Sequence, residues 1–273
     1  MAFRAPQFYY ENAYQERGVA NFTLTSGTAD PDFPLDNLID DRQQFIFQKS
    51  AAVQLILDLD LGASPTTGYD TWLHPRIDQT VQFAASLVEA SDAAFTTDVV
   101  VLGTISTVQT RNFKLNPFAF GNPTLQRYIR VTQTISDAIR PHPQFVLSKQ
   151  VTFTRGPVLS GSVDEKAYNF SRLEQISGEA PTIQRAAPQR RLEYTYPALT
   201  GADLAAMEAL IAAVGMHRPF WVDPHSFSAT PDTDDPVLWM KFETEPRVSH
   251  ALTVPAEGTE AKTFHLNLIE ALD

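Results

Sequence analysis

The sequence predicts a mainly β protein made of two β-sandwiches, the second flanked by a single α-helix. Three observations carry that prediction. Apolar and polar residues alternate through "VQLILDLDLG" (Val53–Gly62). Pro, Gly, Asn and Asp turns separate many short apolar runs across the first half. The clearest helical spacing lies between Thr200 and Gly215.

In the first half, Val53, Leu55, Leu57, Leu59 and Leu61 share one face of a strand, and Gln54, Ile56, Asp58 and Asp60 the other. Gly62 ends it. "TVQFAASLVEAS", "DVVVLGTIST" and "LQRYIRVTQTI" read as further strands. Short strands between turns suggest a sandwich. Two prolines within "IRPHPQF" (Ile139–Phe145) favour an extended connector. The expected division is therefore 1–143 and 144–273, with "FVLSKQVTFTRG" opening the second domain.

In the second half, Thr200 stands where an N-cap belongs, with Asp203 three residues on. Leu204, Met207, Leu210, Ile211 and Val214 form a stripe at helical spacing, and Gly215 is a C-terminal cap. The predicted helix spans 201–214. Its stripe needs a sheet to lie on. "RRLEYTYPAL" supplies one strand, with Leu192, Tyr194 and Tyr196 on one face. "RPFWVDP", "PVLWMKFETEP" and "KTFHLNLIEAL" supply others, and "FSATPDTDDP" reads as a mobile loop. Strands, one helix and strands again make a sandwich with a flanking helix.

Composition excludes several functions. The chain has 273 residues, 43% hydrophobic, with 18 Phe and 8 Tyr, enough for two cores. A formal charge of −11 disfavours specific nucleic-acid binding and anionic membranes. With no cysteine, disulfides and thiolate chemistry are out. The first residues lack the apolar core of a signal peptide, and no run has the length of a membrane span. The expectation is a protein that stays in the cytoplasm or leaves by another route.

Motifs for chemistry are missing. His74, His142, His217, His225, His250 and His265 show no metal-ligand spacing. There is no P-loop, G-x-G-x-x-G or G-x-S-x-G. The chain is read as no enzyme, without cofactor. Asp58 and Asp60 form a DxD, but on an alternating strand they occupy the solvent face. Asp232, Asp234 and Asp235 read as a solvated loop rather than a calcium site. "NPFAFGNP" puts Phe118 and Phe120 at an aromatic turn, either core or an exposed contact.

Three short motifs appear in order: Asn37-Leu38-Ile39-Asp40, Asp60-Leu61-Gly62 and Arg127-Tyr128-Ile129-Arg130. They resemble the Asn-Leu-x-Asp turn, Asp-Leu-Gly strand end and Arg-Tyr-x-Arg strand of discoidin (coagulation factor 5/8 C-type) domains, over most of residues 15–135. The resemblance implies a galactose-binding-like jelly roll. The family's Trp after the Asp turn is missing, with Phe45 or Phe47 nearby, and so are its two clamping cysteines. It implies that Asp36, Asp40 and Asp41 are structural, with calcium as the minor alternative. The surface candidates for glycan or partner are Asp41, Arg42, Trp72, His74, Arg76, Phe118 and Phe120.

Residues 146–273 resemble the minor tail proteins of long-tailed bacteriophages. The resemblance rests on an Arg- and aromatic-rich strand, "LTGADLAAMEALIAAVGMHRPFWVDP", "VLWMKFETEPRVSHAL" and a final strand. It implies a tail-tube or distal-tail-like sandwich in a tail tip or baseplate. The partners implied are the tube, hub and tape measure proteins, further copies in a ring and a host surface glycan. The location implied is the virion tail, assembled in the host cytoplasm. Purified protein is expected as a monomer or small oligomers, the ring forming only on a partner. The alternative expectation is a bacterial carbohydrate-binding protein.

Overall fold

A computed structural model describes residues 5–26, 28–39, 47–48, 50, 54–62, 69–75, 83–105, 115–124, 126–135, 141–142, 146–158, 163–167, 173–174, 182–183, 189–216, 218–224, 237–250 and 261–271. The chain divides into two units. One is Tyr9–Gln150, and the other joins Met1–Phe8 to Val151–Leu272. The sequence placed one cut near residue 143 and could not assign the leading residues to the C-terminal unit.

The first unit is an antiparallel sandwich. Its strands are β1 (Phe22–Leu24), β2 (Leu55–Asp60), β3 (Tyr69–Pro75), β4 (Phe83–Ser91), β5 (Val100–Ile105), β6 (Leu115–Thr124), β7 (Tyr128–Ile135) and β8 (Val146–Thr152). One sheet runs β1-β2-β7-β4-β5. In the other, β3 pairs with β8 on one side and β6 on the other. From β2 to β8 the chain switches sheets repeatedly, so β2-β7-β4-β5 packs with β8-β3-β6. That is the jelly-roll pairing. "FVLSKQV" therefore closes this sandwich rather than opening the next domain: Val146, Leu147 and Ser148 pair with Leu73, Trp72 and Thr71.

Leucine alternation builds its core. Leu55, Leu57, Leu59 and Leu61 are fully buried, and Ile129 and Val131 lie across from them on β7. Leu38, Phe47 and Trp72 join the same cluster. Leu38 belongs to a short turn of 3₁₀ helix, Leu35–Ile39, so the middle of the Asn-Leu-x-Asp motif is a core anchor. Asn12 starts the short helix α1 (Ala13–Arg17). Its buried Oδ1 accepts the Tyr14 N–H at 3.1 Å and the Leu147 N–H at 3.2 Å, tying α1 to β8. Gly62 has φ +89°, and a Cβ there would sit 3.0 Å from the Arg17 guanidinium. Glycine meets both demands.

The second unit contains β9 (Val163–Ala167), β10 (Gln189–Leu199), α2 (Gly201–Val214), β11 (Phe220–Asp223), β12 (Leu238–Phe242), β13 (Arg247–His250) and β14 (Lys262–Glu270). Pairing runs β9-β10-β14-β12-β11, and β13 joins β14 beside β12. Tyr194 and Tyr196 are buried as the alternation required, along with Leu192. The Phe8 ring packs within this unit against Phe153 at 5.8 Å and against Tyr194 and Phe220, each at 6.3 Å. Leu204, Met207, Leu210 and Val214 are buried on α2, while Ile211 is half-buried.

The ends of α2 differ from each other. Gly215 (φ +57°) closes the C-terminus by donating its N–H to Ile211 O at 2.9 Å. Thr200 occupies the N-cap position but makes no capping bond with its side chain. Asp203 does not look back to Thr200 either. Its carboxylate accepts the Thr154 N–H at 3.1 Å, the Thr154 hydroxyl at 3.2 Å and the Arg155 N–H at 3.4 Å. The negative charge still lies in the first turn, where the helix dipole favours it, but it fastens the helix to a loop.

Candidate functional site

The polar face of β2 and β7 gathers the residues that the sequence motifs single out. Asp58 and Arg130 are directly opposite in the ladder. They form a two-pronged pair, Nε to Oδ1 and Nη2 to Oδ2, both at 2.6 Å. Arg127 forms a second such pair with Asp60, at 2.8 and 2.7 Å. Asp60 also accepts the Gly62 N–H at 2.7 Å. The Arg127 hydrogen bonds hold the Asp60 carboxyl below its ordinary range, against a smaller opposing cost of burial. The fork of each guanidinium matches a carboxylate, which is why Arg rather than Lys suits these positions.

A hairpin covers this face. Ser91 is buried and accepts the N–H groups of Ala93 (3.1 Å) and Phe95 (3.2 Å), while its hydroxyl donates to Thr97 O at 2.9 Å. Ala94, Phe95 and Asp98 take positive φ in the loop. The result puts the Phe95 ring 4.1 Å from the Arg130 guanidinium carbon and lets Asp92 accept the Arg127 N–H at 3.1 Å. All the charges of the Asp-Leu-Gly and Arg-Tyr-x-Arg motifs are thereby engaged within the fold. They are fasteners of the sandwich. Both oxygens of each carboxylate accept from an arginine fork. Beyond the hairpin, Val100 and Val101 are 49 and 57% exposed on the outermost strand of that sheet.

The surface candidates scatter. Trp72 is fully buried, and its backbone pairs with both Leu147 and Phe118. It is a core residue, a correction to its reading as a surface candidate: the strand that carries it is the middle one of β8-β3-β6. Phe118 and Phe120 lie within β6 rather than at a turn, because "NPFAFGNPT" pairs along β3 despite its two prolines. His74 is also a strand residue, opposite Asn116. Asp36 is exposed in the 3₁₀ turn. Asp40, Asp41, Arg42 and Arg76 lie outside the described residues, as does the loop with Asp232, Asp234 and Asp235. Among the described residues, no group of three or more His, Cys, Asp or Glu side chains could hold a metal.

One further polar group lies where the sequence offered no sign. Asp70, on β3, accepts the Gln150 N–H at 2.7 Å and the Thr71 hydroxyl at 3.1 Å. Burial raises its pKa despite those bonds and the nearby Lys149. Lys149 pairs with Glu11, and its ammonium sits 5.8 Å from the Tyr10 ring centroid. Isolated acids in ordinary strands give no hint of such surroundings. Only the pairing of β3 with β8 creates them.

The geometry defines a mainly β protein whose first unit is a jelly roll. No family model and no curated protein matches the sequence. Among solved structures, the chain has a likeness to CBM62 from Clostridium thermocellum Xyl5A, at 18% identity and a TM-score of 0.35, covering 46% of this chain and 95% of that one.

Proposed function

We propose that the protein is a structural component of the tail tip or baseplate of a long-tailed bacteriophage. It joins or forms a ring around the tail tube, with the jelly roll as an outer carbohydrate-binding-like module. The observation that carries this reading is the C-terminal unit: β10, then α2 laid down by its apolar stripe, then β11 and β12, with β14 last. That order is the one on which the sequence resemblance to tail proteins rests. The unit also presents β13, whose four residues are all exposed. A strand of that kind suits pairing or contact with a neighbouring subunit.

The alternative, a bacterial lectin-like protein, draws on the jelly-roll pairing. That fold hosts many functions and does not choose among them. Particles from cells making this protein with its genomic neighbours, labelled through a C-terminal tag and viewed by electron microscopy, separate the two. Label at a tail tip supports the assembly role. Soluble protein that binds glycan, with no labelled particle, supports the lectin. Deleting 146–273 is a poor substitute, because it removes β8 from the jelly roll as well.

A further inference from the structure

A groove of about 430 Å³ opens on the C-terminal unit, lined by Arg247, Val248, Ser249, His265 and Asn267. Its origin is a break in strand pairing. β12 ends with Phe242 opposite Leu268, and β13 begins with Arg247 opposite His265. Between them the chain leaves β14, held by the Glu243 N–H on Asn267 O at 2.9 Å. The groove size falls within the roughly 300–1,000 Å³ of small-molecule clefts.

Two of the lining side chains are fixed from behind. His265 Nδ1 meets the Thr195 hydroxyl at 3.0 Å, which leaves Nε2 for a ligand. Asn267 donates one N–H to Thr244 Oγ1 at 3.1 Å, which leaves its carbonyl oxygen and second N–H. Among the described residues, the Ser249 side chain makes no hydrogen bond and Arg247 makes no salt bridge. Val248 pairs with Phe264, so its side chain takes the sheet face opposite that of Arg247 and Ser249. These properties contrast with the jelly-roll arginines, whose forks are already occupied.

We infer that this groove binds a small carboxylate-bearing saccharide of the uronate class, with Arg247 on the carboxylate and Ser249, His265 and Asn267 on hydroxyls. The planar guanidinium fits a carboxylate through two parallel hydrogen bonds. A single guanidinium balances one negative charge, which favours a carboxylate over a phosphate dianion on a chain of net charge −11. Ser, His and Asn can each donate and accept, as sugar hydroxyls do. The inference stands on the C-terminal unit alone and does not depend on the tail assignment.

The test is titration of the full chain with galacturonate, glucuronate, galactose and inorganic phosphate, followed by calorimetry or ¹H–¹⁵N chemical shifts. The expected result is uronate binding at least ten times tighter than galactose or phosphate. Arg247→Ala, an exposed change with an unaltered melting temperature, should abolish it, and Arg247→Lys should weaken it by losing the fork. The inference is overturned by no uronate binding, by galactose or phosphate binding as well as uronate, or by Arg247→Ala leaving affinity unchanged.

Discussion

The two units treat the polar faces of their sheets in opposite ways. On the jelly roll, Asp58 and Asp60 are each locked by an arginine fork, and a hairpin lays Phe95 over one of them. On the C-terminal unit, Arg247, Ser249, His265 and Asn267 border an open groove with bonding capacity left over. The charges of the Asp-Leu-Gly and Arg-Tyr-x-Arg motifs are structural fasteners here, whereas the groove is lined by residues of β13 and β14. Asp58 has Arg130 directly across the ladder, whereas Arg247 has His265 across from it and no acid.

The largest effects should come from the cores and should stay within each unit. Trp72→Ala should destabilise by about 3–5 kcal/mol and Met207→Ala by about 2–5 kcal/mol. Hydrogen exchange should show the first loss in β3 and β8 and the second in α2 and β10. Loss of protection spread equally over both units by either change would break the comparison.

Next comes the ladder. Arg130→Ala removes the Asp58 fork and the Phe95 stack, a partly exposed arrangement, and should cost about 1–2 kcal/mol in chemical denaturation. Arg130→Lys should recover only part of that. Full recovery would show that charge alone matters and that fork geometry does not.

Two acids of the jelly roll should answer pH in opposite senses. Asp60 has its pKa lowered by Arg127, so its contribution is present above the unfolded value near ~3.9 and is lost as pH falls through the lower folded value. Asp60→Asn should therefore lower the melting temperature at neutral pH, with a gap that closes in acid. Asp70 has its pKa raised by burial, so its contribution is present below about 3.9 and is lost as pH rises through the folded value. Asp70→Asn should match or exceed the parent at neutral pH, and that advantage should disappear in acid. Parallel curves for the two variants would remove the distinction.

The smallest effect should come from Tyr196. Its buried hydroxyl has no hydrogen-bond partner among the described residues. Tyr196→Phe should keep the ring packing, including the 4.8 Å contact with Phe153, and change stability by under about 1 kcal/mol, in either direction. A larger loss, read by thermal unfolding, would show that the hydroxyl has a partner after all.

The sequence alone determined the β character, the faces of β2 and β10, and the helix with its buried stripe. Those follow from local periodicity: a period of two or 3.6 residues sorts side chains into inside and outside wherever the element packs. It placed Asp58 and Asp60 outward for the same reason. Tertiary structure decided what periodicity cannot carry. It put Trp72 at the centre of a sheet and Phe118 in a strand, because strand partners come from distant segments. It gave β8 to the jelly roll and the Phe8 ring to the C-terminal core. It turned Asp203 toward Thr154 instead of the helix cap. It also made the groove, since a gap between β12 and β13 exists only once both have paired with β14, and residues far apart in the chain then share one wall.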